Sequence, residues 1–497
     1  MENTENKYLR EDGTHFAPLW RLIGFQGANL GANIFMGLTY FMAYYINGFV
    51  GLAVIWATSF TTLMRLWDGV TDPIVGFLVD KYGDKFGKTR FSLIVGLVFM
   101  LINSYLMFNV TNLLPSDGWF RPIFFTFTTM LFYIGYTFLN VGMYTGNVSI
   151  TNDPRQRPIW SMTGTILVRL MRALMNVLIA AIVAKYGGFN DIRVFGDLWK
   201  IIALSATICI IIAYISIAPK DIPLFTKVAN KGKNEVKFSD YLKAIKGNRP
   251  LQMMILAAST DKFAMMLQSG VVIVALYGIV AGNFKLNGGF NLYTTIIGLL
   301  IMAFGLGSIA RKYGLKRAMV FGSWGNIIVN TLAIFVWILL DPRTLALPGY
   351  KDGYGHAFSG FTAFTVLLFL VTVLSNGFGS ITSSVVQPMI ADVSDYEAYR
   401  SGKYIPGMIG TLFSFIDKLV SAFSPTLMGL AFAFIGFKDK LPDITTPYSK
   451  SILLVALSLN YGIVIVGSIC NLVAMRFYDL TPEKMELIQR SIHKKEK

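Results

Sequence analysis

Residues 65–80 read RLWDGVTDPIVGFLVD, inside a run that is otherwise apolar enough to cross a bilayer. Arg65, Asp68 and Asp72 fall within eight residues of one another there. A charged side chain near the bilayer centre costs about 2.5–3.5 kcal/mol or more on insertion scales, so intramembrane charges mark function by default. On a helix Asp68 and Asp72 stand at i and i+4, which places both carboxylates on one face a turn apart, with Arg65 a turn away on the same side. Two acids so close ionise together only if a cation lies beside them. The pair is a candidate site for Na⁺, which favours hard oxygen ligands, or for a proton held through one raised pKa. Thr71 would add a hydroxyl oxygen. A purely structural ion pair of Arg65 with one of the acids is the alternative, and it leaves the second acid unexplained.

The rest of the chain supplies the membrane context. Of its 497 residues 54% are hydrophobic and 14% charged, where a soluble chain of this length would carry about a quarter charged residues. Mean hydropathy is +0.55. Apolar runs near the 20 residues that a spanning helix needs recur at 24–48, 52–79, 92–113, 122–150, 158–187, 197–218, 251–282, 289–310, 317–340, 360–390, 405–436 and 450–475. The expected fold is therefore an all-α membrane protein of twelve transmembrane helices. The polar segment MENTENKYLREDGTHF precedes the first run without a small-residue cleavage site, so the first helix is expected to do the targeting.

A formal charge of +16 raises the possibility of a nucleic-acid partner, but its distribution points elsewhere. Lys and Arg gather in alternate connections, most densely between runs 6 and 7, as the positive-inside rule requires of a plasma-membrane protein with both termini in the cytoplasm. The surplus is then topology, with some attraction to anionic lipid, and no nucleic acid is expected. Cys209 and Cys470 both lie in apolar runs, which argues against a disulfide framework or a thiolate metal site. His15, His356 and His493 lie outside the runs, so no zinc motif or His-based catalytic centre has material. An enzyme is not expected, and neither is a cofactor beyond Na⁺ or H⁺ as coupling ion.

The longest polar interruption, KDIPLFTKVANKGKNEVKFSDYLKAIKGNRP, falls mid-chain. It divides a six-helix bundle at 1–218 from a second at 251–476, with a central cytoplasmic loop at 219–250 and a cytoplasmic tail at 477–497. DKYG after run 2 is echoed by RKYG after run 8. Paired repeats of this kind are the architecture of alternating-access transporters. Asp80 and Arg90 in the connection after run 2, with Asp392, Asp395 and Arg400 as counterparts in the second half, are candidate gating residues, because breakable salt bridges between bundles bias one facing state over the other.

The stretch RLWDGVTDPIVGFLVD followed by KFGKTRF resembles the helix 2 signature of the glycoside-pentoside-hexuronide:cation symporters, the melibiose permease branch of the major facilitator superfamily. IADVSDYEAYRSGK at Ile390–Lys403 is similar to that family's loop after helix 10, and Lys418 to its helix 11 lysine. The resemblance implies a twelve-helix fold of two six-helix bundles and sugar uptake coupled to Na⁺, Li⁺ or H⁺. It implies a cation site of Asp68, Asp72, Thr71 and Thr137, the last from YTFLN. On the sugar side Tyr40 and Tyr136 match family positions. The family's two sugar-binding acids align with Asn33 and Asn140, its helix 4 Trp with Tyr144, and its helix 5 arginine with Thr165, one turn before Arg169.

Further intramembrane charges are Arg172, Asp261, Lys262 and Asp417. Adjacent residues on a helix point about 100° apart, so Asp261–Lys262 and Asp417–Lys418 can reach across helices instead of pairing with each other. Once a cation neutralises one of Asp68 and Asp72, the intramembrane charge leans positive and suits a carboxylate-bearing substrate such as a hexuronide. The expected function is cation-coupled symport of a glycoside or hexuronide by a protein functional as a monomer, with membrane lipids as its surroundings. A lysolipid or other amphiphile is the alternative cargo.

Overall fold

The computed structural model describes residues 15–82, 87–116, 118–151, 153, 156–221, 247–268, 270–301, 314–401 and 406–496. The central connection at 222–246, Gly83–Lys85 and the Gly-rich stretch at 304–310 lie outside the described residues. So do Arg311–Tyr313 and, for side chains, Asp80.

All the regular structure described is helical. The main helices are α1 Leu19–Met36, α2 Val54–Tyr82, α3 Lys88–Tyr105, α4 Phe120–Ile150, α5 Gln156–Lys185, α6 Arg193–Ile217, α7 Arg249–Leu267, α8 Lys285–Ile301, α9 Leu315–Leu339, α10 Ala363–Ser401, α11 Pro406–Ala422, α12 Ile463–Phe477 and α13 Pro482–Glu496. Among the described residues eight helical segments are long and apolar enough to cross a membrane, or nine if the pair Arg249–Leu267 and Val271–Val280, bent by 54°, forms one span. α2 is not among them, because the charges that make it informative also lower its hydropathy.

The chain divides into two compact units, one of Met1–Lys233 with Asp439–Leu441, the other of Asn234–Lys438 with Pro442–Lys497. In the first, small residues let helix backbones approach closely, the packing device of apolar media where there is no hydrophobic drive between helices. A Cβ at Gly27 would collide with the Cys209 carbonyl and one at Gly31 with Ile210, which seats α1 on α6. Gly96 of α3 meets the Gly135 carbonyl of α4 in the same way. At one end Tyr45 lies among Phe108, Phe125 and Phe195 with ring centroids 5.0–5.6 Å apart. The second unit is centred on Leu251, Met254, Met319, Val385, Ile409 and Met475, and α13 adds Met485 and Ile488 to that core.

Helix starts show the internal repeat more clearly than the letters alone. Gly87, at φ +87°, immediately precedes α3, and Gly314, at φ +83°, immediately precedes α9. The left-handed region is open to glycine without a Cβ penalty, so both helices begin with the same backbone device. The structural equivalence therefore aligns DKFGKTR at 84–90 with RKYGLKR at 311–317, four residues on from the match with DKYG. Arg90 and Arg317 become equivalent.

Candidate functional site

α2 and α4 build the site in the first unit. Thr137 of α4 is fully buried, and its hydroxyl donates to Asp68 Oδ1 at 3.1 Å. Thr71 is one turn from Asp68 on α2; its hydroxyl donates to the Asp68 carbonyl at 3.0 Å and sits 3.3 Å from Thr137 Oγ1. With those protons so directed, lone pairs of Thr71 Oγ1, Thr137 Oγ1 and Asp68 Oδ1 are gathered in one place, a set of hard oxygen donors. Asp68 is 6% exposed and Thr71 2% exposed, so the set is screened from bulk solvent. Asp72 and Arg65 are partly exposed, and both make interactions of their own. Trp67 fixes the register of the two helices by donating its indole N–H to the Met130 carbonyl at 3.2 Å.

Tyr133 is a site residue that sequence reasoning missed. It lies one turn before Thr137, is 1% exposed, and is within electrostatic reach of Arg65, Asp68 and Tyr136. Its phenol oxygen is buried and makes no hydrogen bond among the described residues. Nothing in the letters separates this Tyr from the packing aromatics around it; only its position one turn from Thr137 could have singled it out.

The residues expected on the sugar side fall into two places. Asn33, Tyr40 and Arg172 line one narrow cleft between α1 and α5, together with Gly37, Val168 and Met175. Asn33 Nδ2 donates to the Asn29 carbonyl at 2.8 Å and to Asn29 Oδ1 at 2.9 Å, which leaves Asn33 Oδ1 directed away from that contact. Tyr136 and Asn140 lie on α4, at i−1 and i+3 from Thr137. Tyr144 is 68% exposed, Thr165 is exposed, and Arg169 is partly exposed with Arg172 as its cationic neighbour.

In the second unit the charges reach between helices, as their angular spacing allows. Asp261 Oδ1 of α7 accepts from Asn471 Nδ2 of α12 at 2.8 Å. Lys262 of α7 lies within electrostatic reach of Asp417 on α11. Lys418 is partly exposed and has interactions of its own.

Two of the candidate gating residues, Arg90 and Arg400, have partners inside their own units. Asp221 Oδ2 accepts from the Arg90 backbone N–H at 2.8 Å and from Arg90 Nε at 3.4 Å, while Oδ1 accepts from the Thr89 N–H at 3.2 Å. One buried carboxylate thereby satisfies the first turn of α3. Arg400 is held by Glu397 of the same helix at 2.9 Å and 3.1 Å, and Glu397 also accepts from Asn248 Nδ2 at 2.9 Å. Asp392 and Asp395 are partly exposed neighbours whose like charges act on each other.

A family model described as MFS/sugar transport protein matches residues 24–482, nearly the whole chain. The chain belongs to that family. The resemblance to glycoside-pentoside-hexuronide:cation symporters is borne out with it, and the protein is a membrane transporter of symporter type, not an enzyme. It is 22% identical over 469 residues to a putative glycoside/cation symporter of Escherichia coli (strain K12), covering 93% of this chain and 92% of the relative. It is 23% identical over 499 residues to a glucuronide carrier protein homolog of the same organism, covering 96% of each. The crystal structure of a nucleoside transporter shares the fold at a TM-score of 0.56 and 12% identity, over 92% of this chain and 100% of that one.

Proposed function

We propose that the protein couples the uptake of a glycoside or hexuronide to Na⁺ or H⁺ by alternating access between two six-helix bundles, twelve spans in all. The bundles are 1–218 and 251–476, joined through a central loop at 219–250, with the tail at 477–497 and both termini in the cytoplasm. The observation that carries this is the convergence of Thr71, Thr137 and Asp68 in a buried site beside Asp72. An intramembrane carboxylate that already accepts one hydroxyl and is flanked by a second acid gains most from a hard cation or a proton, and little from apolar packing.

Asp68 and Asp72 hold the coupling ion, with Thr71 and Thr137 as neutral ligands. Asn33, Tyr40, Tyr136, Asn140, Tyr144, Thr165, Arg169, Asp261, Lys262 and Lys418 form the substrate set, in which amides and phenols bond hydroxyls and the cations favour a carboxylate. Arg65, Asp80, Arg90, Asp392, Asp395 and Arg400 set the balance of facing states. Coupling follows because each ligand raises the other's affinity by the same factor. The names of the relatives, glycoside/cation symporter and glucuronide carrier homolog, support this substrate class.

The test is thermal stabilisation of the purified protein in liposomes by a panel of glycosides, glucuronides and lysolipids, each with and without Na⁺ and at two pH values. A sugar or glucuronide that stabilises more strongly with Na⁺ or with protons, and loses that dependence in Asp68→Asn, is the expected result. Stabilisation by lysolipids alone, indifferent to cation, would replace the sugar with an amphiphile as cargo.

A further inference from the structure

The equivalence of Arg90 and Arg317 exposes a difference between the two repeats. In the first unit Asp221 neutralises Arg90 and closes the start of α3. In the second unit the acid that follows α12, Asp479, is bonded to Lys484 of α13 instead. The carboxyl of Glu483 is held below its usual range by a hydrogen bond from Thr481 and, in smaller part, by the field of Arg317. Glu483 is solvent-exposed, so it offsets little of the positive charge of the pair Lys316–Arg317.

That pair opens onto a groove of about 500 Å³ lined by Lys316, Arg317, Val320, Phe321, Trp324 and Thr481. Lys316 Nζ donates to the Tyr478 carbonyl at 2.6 Å, which fixes the ammonium at the groove's edge and leaves two of its protons for another acceptor. Arg317 is exposed. From Arg317 the positions i+4, i+7, i+11, i+15 and i+18 are Phe321, Trp324, Ile328, Leu332 and Phe335, each at least half exposed. A basic pair therefore stands at the foot of an apolar stripe that climbs α9 for about 27 Å at 1.5 Å per residue, close to the thickness of a hydrocarbon core. The occupant that matches a cationic foot, an aromatic shelf and a long apolar face at once is a phospholipid with an anionic headgroup.

We infer that this groove binds an anionic phospholipid, its phosphate between Lys316 and Arg317 and its acyl chains along Phe321 and Trp324. A free phosphate shares the headgroup chemistry but makes no use of the stripe.

Native mass spectrometry of the delipidated full-length protein separates the cases, with phosphatidylglycerol, phosphatidylcholine of the same acyl chains, and inorganic phosphate as probes. Wild type is expected to bind phosphatidylglycerol more tightly than phosphatidylcholine. Arg317→Gln should bind phosphatidylglycerol about fivefold more weakly, the loss of one basic contact, with phosphatidylcholine unchanged. Trp324→Ala should also weaken phosphatidylglycerol, and it keeps the test decisive should Arg317→Gln fold poorly. Equal phosphatidylglycerol affinity in wild type and both variants would overturn the assignment, and so would competition by inorganic phosphate as effective as that of the lipid.

Discussion

The hydroxyl of Thr137 donates to Asp68 Oδ1, and replacing it by a methyl keeps the volume while removing the bond. Hydrogen bonds to charged groups contribute about 1.5–3 kcal/mol, so Thr137→Val should weaken the apparent affinity for the coupling ion about ten- to a hundredfold with little change in thermal midpoint. A cation titration of substrate-dependent stabilisation measures it; an unchanged midpoint concentration would remove Thr137 from the ion site. Lys220 offers a second residue-level test, outside the spanning segments. Burial, and secondarily Arg21, push its ammonium down to about 8. A lysine with a depressed folded-state value binds fewer protons when folded than when unfolded, between about pH 8 and its ordinary value near 10.5. Stability should therefore rise with pH across that window in wild type, and the rise should be missing from Lys220→Met when melting is followed from pH 7 to 10.

At the scale of the element, α3 shows how a helix start can depend on a residue far away in sequence. The Asp221 carboxylate accepts two backbone N–H groups of its first turn, and Gly87 has no room for a Cβ against that carboxylate. Asp221→Asn should lower the thermal midpoint by a few degrees, in line with the roughly 1–2 kcal/mol carried by a helix cap, and Gly87→Ala should cost more because it adds backbone strain to a clash. Both follow from differential melting in detergent; a Gly87→Ala variant as stable as wild type would show that the clasp yields. This contact was invisible to sequence reasoning because 132 residues separate Asp221 from Thr89, whereas the pairing of Asp68 with Thr71 is legible as one helical turn. Glu397 and Arg400, at i and i+3 in EAYR, are equally legible as a local pair, although the sequence reading assigns Arg400 a partner in the other bundle and gives Glu397 no role. The 54° bend between Arg249–Leu267 and Val271–Val280 escaped as well, since a single glycine such as Gly270 in a membrane run reads as close helix packing as readily as a break.

For the whole molecule, hydropathy carried most of the architecture: the runs read from composition coincide with helices wherever the chain is described. α2 is the instructive case, because a length-and-hydropathy criterion rejects it on account of the charges that identify the family. The substrate side was less legible, since Asn, Tyr and Arg serve packing and recognition alike, and only the surroundings of each decide. Orientation is testable directly. With Cys209 and Cys470 replaced by Ser, a single cysteine at Asp352 should react with an impermeant maleimide in intact cells, and one at Ser491 only after permeabilisation. Labelling at Ser491 in intact cells, with Asp352 reacting only after permeabilisation, would reverse the proposed orientation.

The two ends of the central connection share a property with practical weight. On one side Asp221 is fastened to the start of α3, and on the other Asn248 both caps α7 through the Leu251 N–H and holds Glu397 of α10. Each half of the chain thus carries its own fastening up to the point where the other half begins. A protease site or a reporter domain introduced between those two anchors would leave every one of these bonds in place, so halves divided there and expressed together are expected to reassemble, which co-purification of one half through a tag on the other would test.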